Sequence, residues 1–207
     1  GNSLYAQRVN GSGQLLWNPN GVLITNSLRV INDSHQYRMI NDGTGGAIIC
    51  WQDGRSFATS ERDIYAQRID ANGNAQWTAN GMAIVTAPGQ QRRLRMDDDG
   101  AGGAIITWQD YRSGSASPKA YVQRINDSGV VQWAVNGINL TPSSLANGNP
   151  FPLSDNKGGA YIGWRDYRGG AYKFYAQRVN SSGNQLWASG GVPISGAVGS
   201  ASTYGGA

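Results

Sequence analysis

The feature that most constrains this chain is that it repeats itself. Tyr-Ala-Gln-Arg occurs at Tyr5–Arg8, Tyr65–Arg68 and Tyr175–Arg178, and Tyr-Val-Gln-Arg at Tyr121–Arg124. Each is followed by an Asn or Asp (Asn10, Asp70, Asn126, Asn180), then by a Gly (Gly13, Gly73, Gly129, Gly183) and a Trp (Trp17, Trp77, Trp133, Trp187) at the same spacing. Beyond each Trp comes a further Gly (Gly21, Gly81, Gly137, Gly191). A second segment recurs between them. It runs from Gly45-Gly46-Ala47 to Trp51-Gln52-Asp53, from Gly102-Gly103-Ala104 to Trp108-Gln109-Asp110, and from Gly158-Gly159-Ala160 to Trp164-Arg165-Asp166. An Arg stands two residues after each Asp (Arg55, Arg112, Arg168), and the repeat accounts for all 7 tryptophans. A period of roughly 55 residues belongs to arrays built from one supersecondary unit.

Both segments read as strands. They are short, rich in Ile, Val, Tyr and Trp, and bounded by Gly, Asn and Asp. Alternation sets Ala47, Ile49, Trp51 and Asp53 on one face and Ile48, Cys50 and Gln52 on the other. Both faces are apolar near the middle, which predicts a strand covered on two sides. The Asn/Asp-x-x-Gly step reads as a turn, with the side chain holding nearby backbone N–H groups and Gly supplying positive φ. A short strand ending in Trp is expected to return from it. A further strand is expected upstream of each Gly-Gly-Ala, as in Gln36–Ile40 and Arg92–Met96.

Four short antiparallel strands per repeat cannot bury two apolar faces alone. Radial stacking of such sheets buries them, so the chain predicts an all-β fold of β-propeller blades. Another stacked-sheet or solenoid arrangement is the alternative. The reading divides the chain into a partial blade (1–25), blades over 26–86, 87–141 and 142–195, and the start of a further repeat over 196–207. That is about three and a half blades, and the expectation is a piece of a longer chain, with each open end leaving an apolar sheet face uncovered.

With the whole motif in view, Trp-Gln-Asp-x-Arg followed by Tyr-Ala-Gln-Arg-Ile/Val-Asn/Asp-x-x-Gly-x-x-x-Trp resembles repeats of large secreted or cell-surface proteins. These belong to gliding, type IX-secreting bacteria of the Bacteroidota kind. The resemblance covers residues 2–195. It implies export across the outer membrane, an extracellular or surface location, and tandem propeller-like modules beside other domains. The Asn/Asp-x-x-Gly-x-x-x-Trp hairpin also resembles the Asp-box of sialidase-type propellers. It lacks the leading Ser/Thr and has three residues rather than two before Trp. In that family the hairpin is structural, so the resemblance supports the fold more than an activity.

Composition narrows the chemistry. The single Cys50 excludes an internal disulfide framework, and the single His35 excludes His-rich metal sites. No Ser-His-Asp set is evident. Glu61 beside Asp63 is the one carboxyl pair that includes a glutamate, and both are expected at the surface. Asp97-Asp98-Asp99-Gly100 has calcium-binding residue types without an EF-hand spacing, and reads as a solvated turn balanced by Arg92, Arg93 and Arg95. No cofactor, no metal and no catalytic residue is assigned. A net charge of +4 spread along the chain bears on solubility more than on partners, and the cluster of Arg92, Arg93 and Arg95 is too small and too local for a nucleic-acid footprint. No apolar run is long enough for membrane insertion.

Groups present in every repeat are expected to be structural. These are the aromatics Trp17, Trp51, Trp77, Trp108, Trp133, Trp164 and Trp187, and the polar residues Asp53, Asp110 and Asp166 with Arg68, Arg124 and Arg178. Asp110 is expected to meet Arg124 or its own Arg112, with the same geometry at Asp53 and Asp166. Aromatics that break the repeat are the ligand candidates: Phe57, Tyr111, Tyr167 and Tyr172, on the variable loops where a scaffold carries function. The expected protein is a non-catalytic extracellular module, a rigid scaffold or binding and adhesion platform. Its partners are further blades or domains of the same protein, another chain, or carbohydrate. Two other readings stay open. One is part of a propeller glycosidase or lyase with its catalytic residues elsewhere; the other is a passive client of the export machinery.

Overall fold

Each repeat folds into one antiparallel meander. The computed structural model describes residues 2–28, 37–114, 118–141, 147–168 and 170–195; His35 and the 196–207 segment lie outside these. The first sheet pairs β1 (Asn2–Ala6) with β2 (Val22–Leu28). The second contains β3 (Tyr37–Asn41), β4 (Ala47–Asp53), β5 (Asp63–Ile69) and β6 (Met82–Val85), with the short helix α1 (Phe57–Ser60) between β4 and β5. The third contains β7 (Gln91–Asp98), β8 (Ala104–Asp110), β9 (Lys119–Ile125) and β10 (Ile138–Asn139). The fourth contains β11 (Asn147–Ser154), β12 (Ala160–Asp166), β13 (Lys173–Val179) and β14 (Val192–Pro193). In each four-stranded sheet the strands lie side by side in chain order.

The register is common to the three full sheets. Trp51 stands opposite Tyr65, Trp108 opposite Tyr121 and Trp164 opposite Tyr175. The rings stack at centroid distances of 6.5, 5.9 and 6.4 Å. All three tryptophans are fully buried, at 1%, 0% and 0% exposure. The two faces of β4, and likewise of β8, go to two different cores. Ala104, Ile106 and Trp108 pack with Ile48, Cys50 and Ile64 of the sheet before, while Ile105 packs with Ala160, Ile162 and Trp164 of the sheet after. Strands β3 and β7 touch, as do β7 and β11, so the first strands of successive sheets line one side of the stack. These are propeller blades, arranged as the alternation in the sequence requires.

The Gly-Gly pairs have separate duties. Gly45, Gly102 and Gly158 adopt φ between 78° and 90°, which closes the turn into β4, β8 and β12. At Gly46, Gly103 and Gly159 a Cβ would collide with the carbonyls of Ile69, Ile125 and Val179 on the neighbouring strand. The third residue, Ala, is the first that the close strand approach permits to carry a side chain.

One expected element differs. The strand ending in Trp does not form; a lone bridge joins Ile69 to Ala75, and the outer strand begins only after Gly81. The reason is that the Trp77 N–H donates to the Gln67 side chain rather than to a strand ladder.

Candidate functional site

The recurrent polar residues form three constellations, each built alike in every blade. The first sits where β4, β8 and β12 end. Asp53, Asp110 and Asp166 are fully buried. Each accepts from the indole N–H two residues before it, at 3.0, 2.8 and 3.2 Å from Trp51, Trp108 and Trp164. Each also pairs with the Arg two residues after it, at 2.5, 2.6 and 2.6 Å for Arg55, Arg112 and Arg168. The guanidinium then lies over the ring of Tyr65, Tyr121 or Tyr175, 3.8 to 4.2 Å from its centroid. It also donates to a carbonyl of the next loop, Asn80, Asn136 or Gly190. Of the two partners expected for Asp110, the structure places Arg112 there and not Arg124. The five-donor guanidinium two residues on reaches back without crossing the sheet.

The second constellation lies at the opposite end of the same strands. Arg68, Arg124 and Arg178 meet Asp42, Asp99 and Asp155, at 3.0, 2.8 and 3.7 Å. Each Asp accepts two backbone N–H bonds of its own turn, Thr44 and Gly46, Ala101 and Gly103, or Lys157 and Gly159. The run Asp97-Asp98-Asp99 is therefore not the solvated turn expected. Asp99 is fully buried because it closes that turn, while Asp98 stays exposed. The neighbouring arginines do not serve these acids: Arg93 donates to Asn149 and Arg92 lies over Tyr111.

The third constellation holds the hairpin tryptophans through a glutamine to which the sequence reading gave no role. Gln7, Gln67, Gln123 and Gln177 each accept from the N–H of their Trp and donate to a carbonyl just beyond it. Recurrence in every Tyr-x-Gln-Arg was the available signal.

Burial pushes the buried acids up, and their hydrogen bonds decide the net direction. For Asp166, burial pushes the carboxyl up, but the bonds from Arg168 and Trp164 outweigh it and the net direction is down. Asp42 follows the same pattern, with burial outweighed by bonds from Thr44, Gly46 and Arg68. Both therefore add stability above the ordinary carboxyl value of 3.8, and that contribution is lost as pH falls through their lower folded values. Asp63 shifts upward, chiefly by burial and further by the charge of Asp53 across the strand pair, although Ser60 donates to it at 2.8 Å. It is 0% exposed rather than at the surface as expected, and it stands where the other blades have Lys119 and Lys173. Its contribution is present below the ordinary value and lost as pH rises through the raised folded one. Asp63→Asn should accordingly raise the melting temperature at neutral pH and leave it unchanged in acid, as read by thermal unfolding at the two pH values. Cys50 is fully buried, and burial pushes its thiol up to about 12, which makes it an inert filler.

The ligand candidates are divided among blades. Phe57 stands on α1, exposed, and Tyr111 lies beneath Arg92 with its hydroxyl toward Gln109. Tyr167 and Tyr172 come together in the last described blade, with ring centroids 4.7 Å apart. Arg165, which replaces the Gln of the other repeats, lies 4.2 Å over Tyr172. This gives a half-open platform of two tilted phenol rings and a guanidinium. Among the described residues no group of three or more His, Cys, Asp or Glu could hold a metal ion, and no helix is long and apolar enough to cross a membrane.

No family model matches this chain, and no curated protein matches it at a significant level. Among solved structures it is similar to an endo-arabinase from Bacteroides thetaiotaomicron VPI-5482, at 12% identity over 82% of this chain and 67% of that one, with a TM-score of 0.45.

Proposed function

We propose that this chain is a non-catalytic repeat module, a rigid scaffold in a large secreted or surface protein of bacteria, carrying a small carbohydrate-binding platform. The observation that supports it is the sameness of the polar constellations. Asp53, Asp110 and Asp166 make the same bonds in each blade, and a ligand rarely contacts all blades alike. Such repeated groups hold blades together. The platform of Tyr167, Tyr172 and Arg165 is the counter-case, because it departs from the repeat and presents aromatic faces with a polar rim. Flat rings of this kind stack on the apolar faces of sugars while the guanidinium donates to hydroxyls.

Affinity electrophoresis in gels containing soluble polysaccharides tests the reading. A polysaccharide that retards the chain should retard Tyr172→Ala about 3- to 10-fold less, the weight of one aromatic contact. No reducing ends should appear in the same polysaccharide. Their release would favour the competing glycosidase reading, and retardation unchanged in Tyr172→Ala would remove the platform.

A further inference from the structure

β7 carries positive charge that the fold does not use. In each full blade the recurrent arginines are paired with an Asp, as Arg112 is with Asp110 and Arg124 with Asp99. β7 adds Arg92, Arg93 and Arg95, and none of these forms an ion pair among the described residues. Arg92 Nε and Arg95 Nη1 are buried without a hydrogen-bond partner. Arg93 donates to the Asn149 side chain of the next blade at 3.0 Å. The acid that follows on the strand, Asp97, does not neutralise them, because its carboxylate accepts from the backbone N–H groups of Asp98 and Ser154.

The backbone brings the two orphaned groups together. Residues three apart on a regular strand face opposite ways. Between Arg92 and Arg95 the register slips, so that Arg92 stands opposite Gln109 and Arg95 opposite Thr107. Gln109 and Thr107 share one face of β8, the face on which the Thr107 hydroxyl donates to the Pro150 carbonyl of the next blade. Arg92 and Arg95 therefore both face the fourth sheet. The inserted residue is Arg93, held at φ 53°, a conformation that is costly for a residue with a Cβ. β11 bulges at the equivalent place, with Asn149 at φ 36°, but Gly148 and Phe151 flank it there. The bulge is common to both blades and the paired arginines are not.

We infer that Arg92, Arg93 and Arg95 form an oxyanion site at the junction of the third and fourth sheets, and that it takes the carboxylate of an acidic polysaccharide. Three like charges on one strand repel, and a buried N–H without an acceptor is costly; a carboxylate relieves both, since its two oxygens accept from guanidinium forks. Arg92 and Arg95 are half-buried and Arg93 is exposed, so the set is open to solvent. The ring of Tyr111 beside Arg92 supplies an apolar surface for the sugar. The sugar half of the inference rests on the carbohydrate-binding reading above, and the oxyanion half on the arginines alone.

Affinity electrophoresis at physiological salt tests it, in gels containing polygalacturonate or its fully methyl-esterified, uncharged form. The chain should be retarded more by the acid than by the ester. Arg92→Gln and Arg95→Gln should each bind the acid about 10-fold more weakly, the weight of one charge-assisted contact, and bind the ester as before. Neither should melt lower than the parent, because neither side chain holds a partner. Lys157→Gln removes the same charge from an exposed turn of the fourth sheet and should leave both gels unchanged. Equal retardation by acid and ester overturns the inference. So does an equal loss in Lys157→Gln, which would make net charge the cause, or a lower melting temperature in the arginine variants, which would make them structural. Tyr172→Ala separates this site from the platform: it should weaken retardation in both gels by the same factor, whereas Arg95→Gln should change their ratio.

Discussion

Trp108→Ala is expected to destabilise the chain by about 3–5 kcal/mol, the cost of deleting a large ring from a site that cannot collapse. The indole is fully buried, stacked on Tyr121, bonded to Asp110 and packed on the backbone of Gly137. Its loss opens a cavity between two sheets and leaves Asp110 short of a donor. Urea titration followed by circular dichroism should show a lower midpoint with an unchanged slope, which marks a change in stability rather than in compactness. The same substitution at Trp187 is the internal comparison, since that ring is partly in solvent and its removal opens no enclosed cavity. Equal losses at the two positions would mean that burial does not set the cost.

The second large effect comes from charge. Arg112→Met should cost about 3–5 kcal/mol, because it strands the carboxylate of Asp110 in a site with no access to water. The guanidinium also bridges to the Asn136 carbonyl and covers Tyr121, so three contacts are lost together. Adding Asp110→Asn to Arg112→Met removes the stranded charge while keeping an acceptor for the Trp108 indole. The double variant is expected to be more stable than Arg112→Met alone, by the same urea titration. A single variant within about 1 kcal/mol of the parent would place this pair with solvent-exposed ion pairs.

The difference between the two effects illustrates what the repeat encodes. Apolar residues at alternate positions say which faces are covered, and this is legible in the sequence from Ala47 through Asp53. Charged residues say only that partners exist. Asp110 had candidate partners at Arg112 and Arg124, and spacing along the chain did not decide between them. Both arginines carry the same fork of donors, and each sits close enough in sequence to serve. The choice follows from the two ends of β8. Asp110 closes one end with Arg112, and Asp99 closes the other with Arg124. The run Asp97-Asp98-Asp99 reads in sequence as a solvated turn, and nothing local singles out Asp99 as the one acid that is buried.

Asp63 shows the same limit from the other side. Its position beside Glu61, in a loop that varies between repeats, suggested solvent. The helix α1 folds over it and supplies the Ser60 hydroxyl, so the carboxyl is enclosed. Nothing in the residues from Gly54 to Asp63 announces that coverage, because a four-residue helix leaves no periodicity to detect. The platform of Tyr167 and Tyr172 was half visible. Both rings depart from the repeat, but the meeting of the rings and the placement of Arg165 depend on how β12 and β13 carry the loop between them.

By itself, then, the amino-acid order determined the unit and its strands. A recurring Trp, a Gly-Gly-Ala start and an Asn/Asp-x-x-Gly turn are local requirements, met within a few residues by backbone sterics and side-chain length. It also determined that both faces of each sheet must be covered, since alternation is a property of the chain. Only the tertiary structure decided which arginine serves which aspartate and where the last strand of each blade begins. Those outcomes depend on groups brought together across sheets from positions a whole repeat apart. Trp77 meets the turn at Asp127, and Trp187 has no such turn among the described residues, although the two tryptophans stand in identical local sequence patterns.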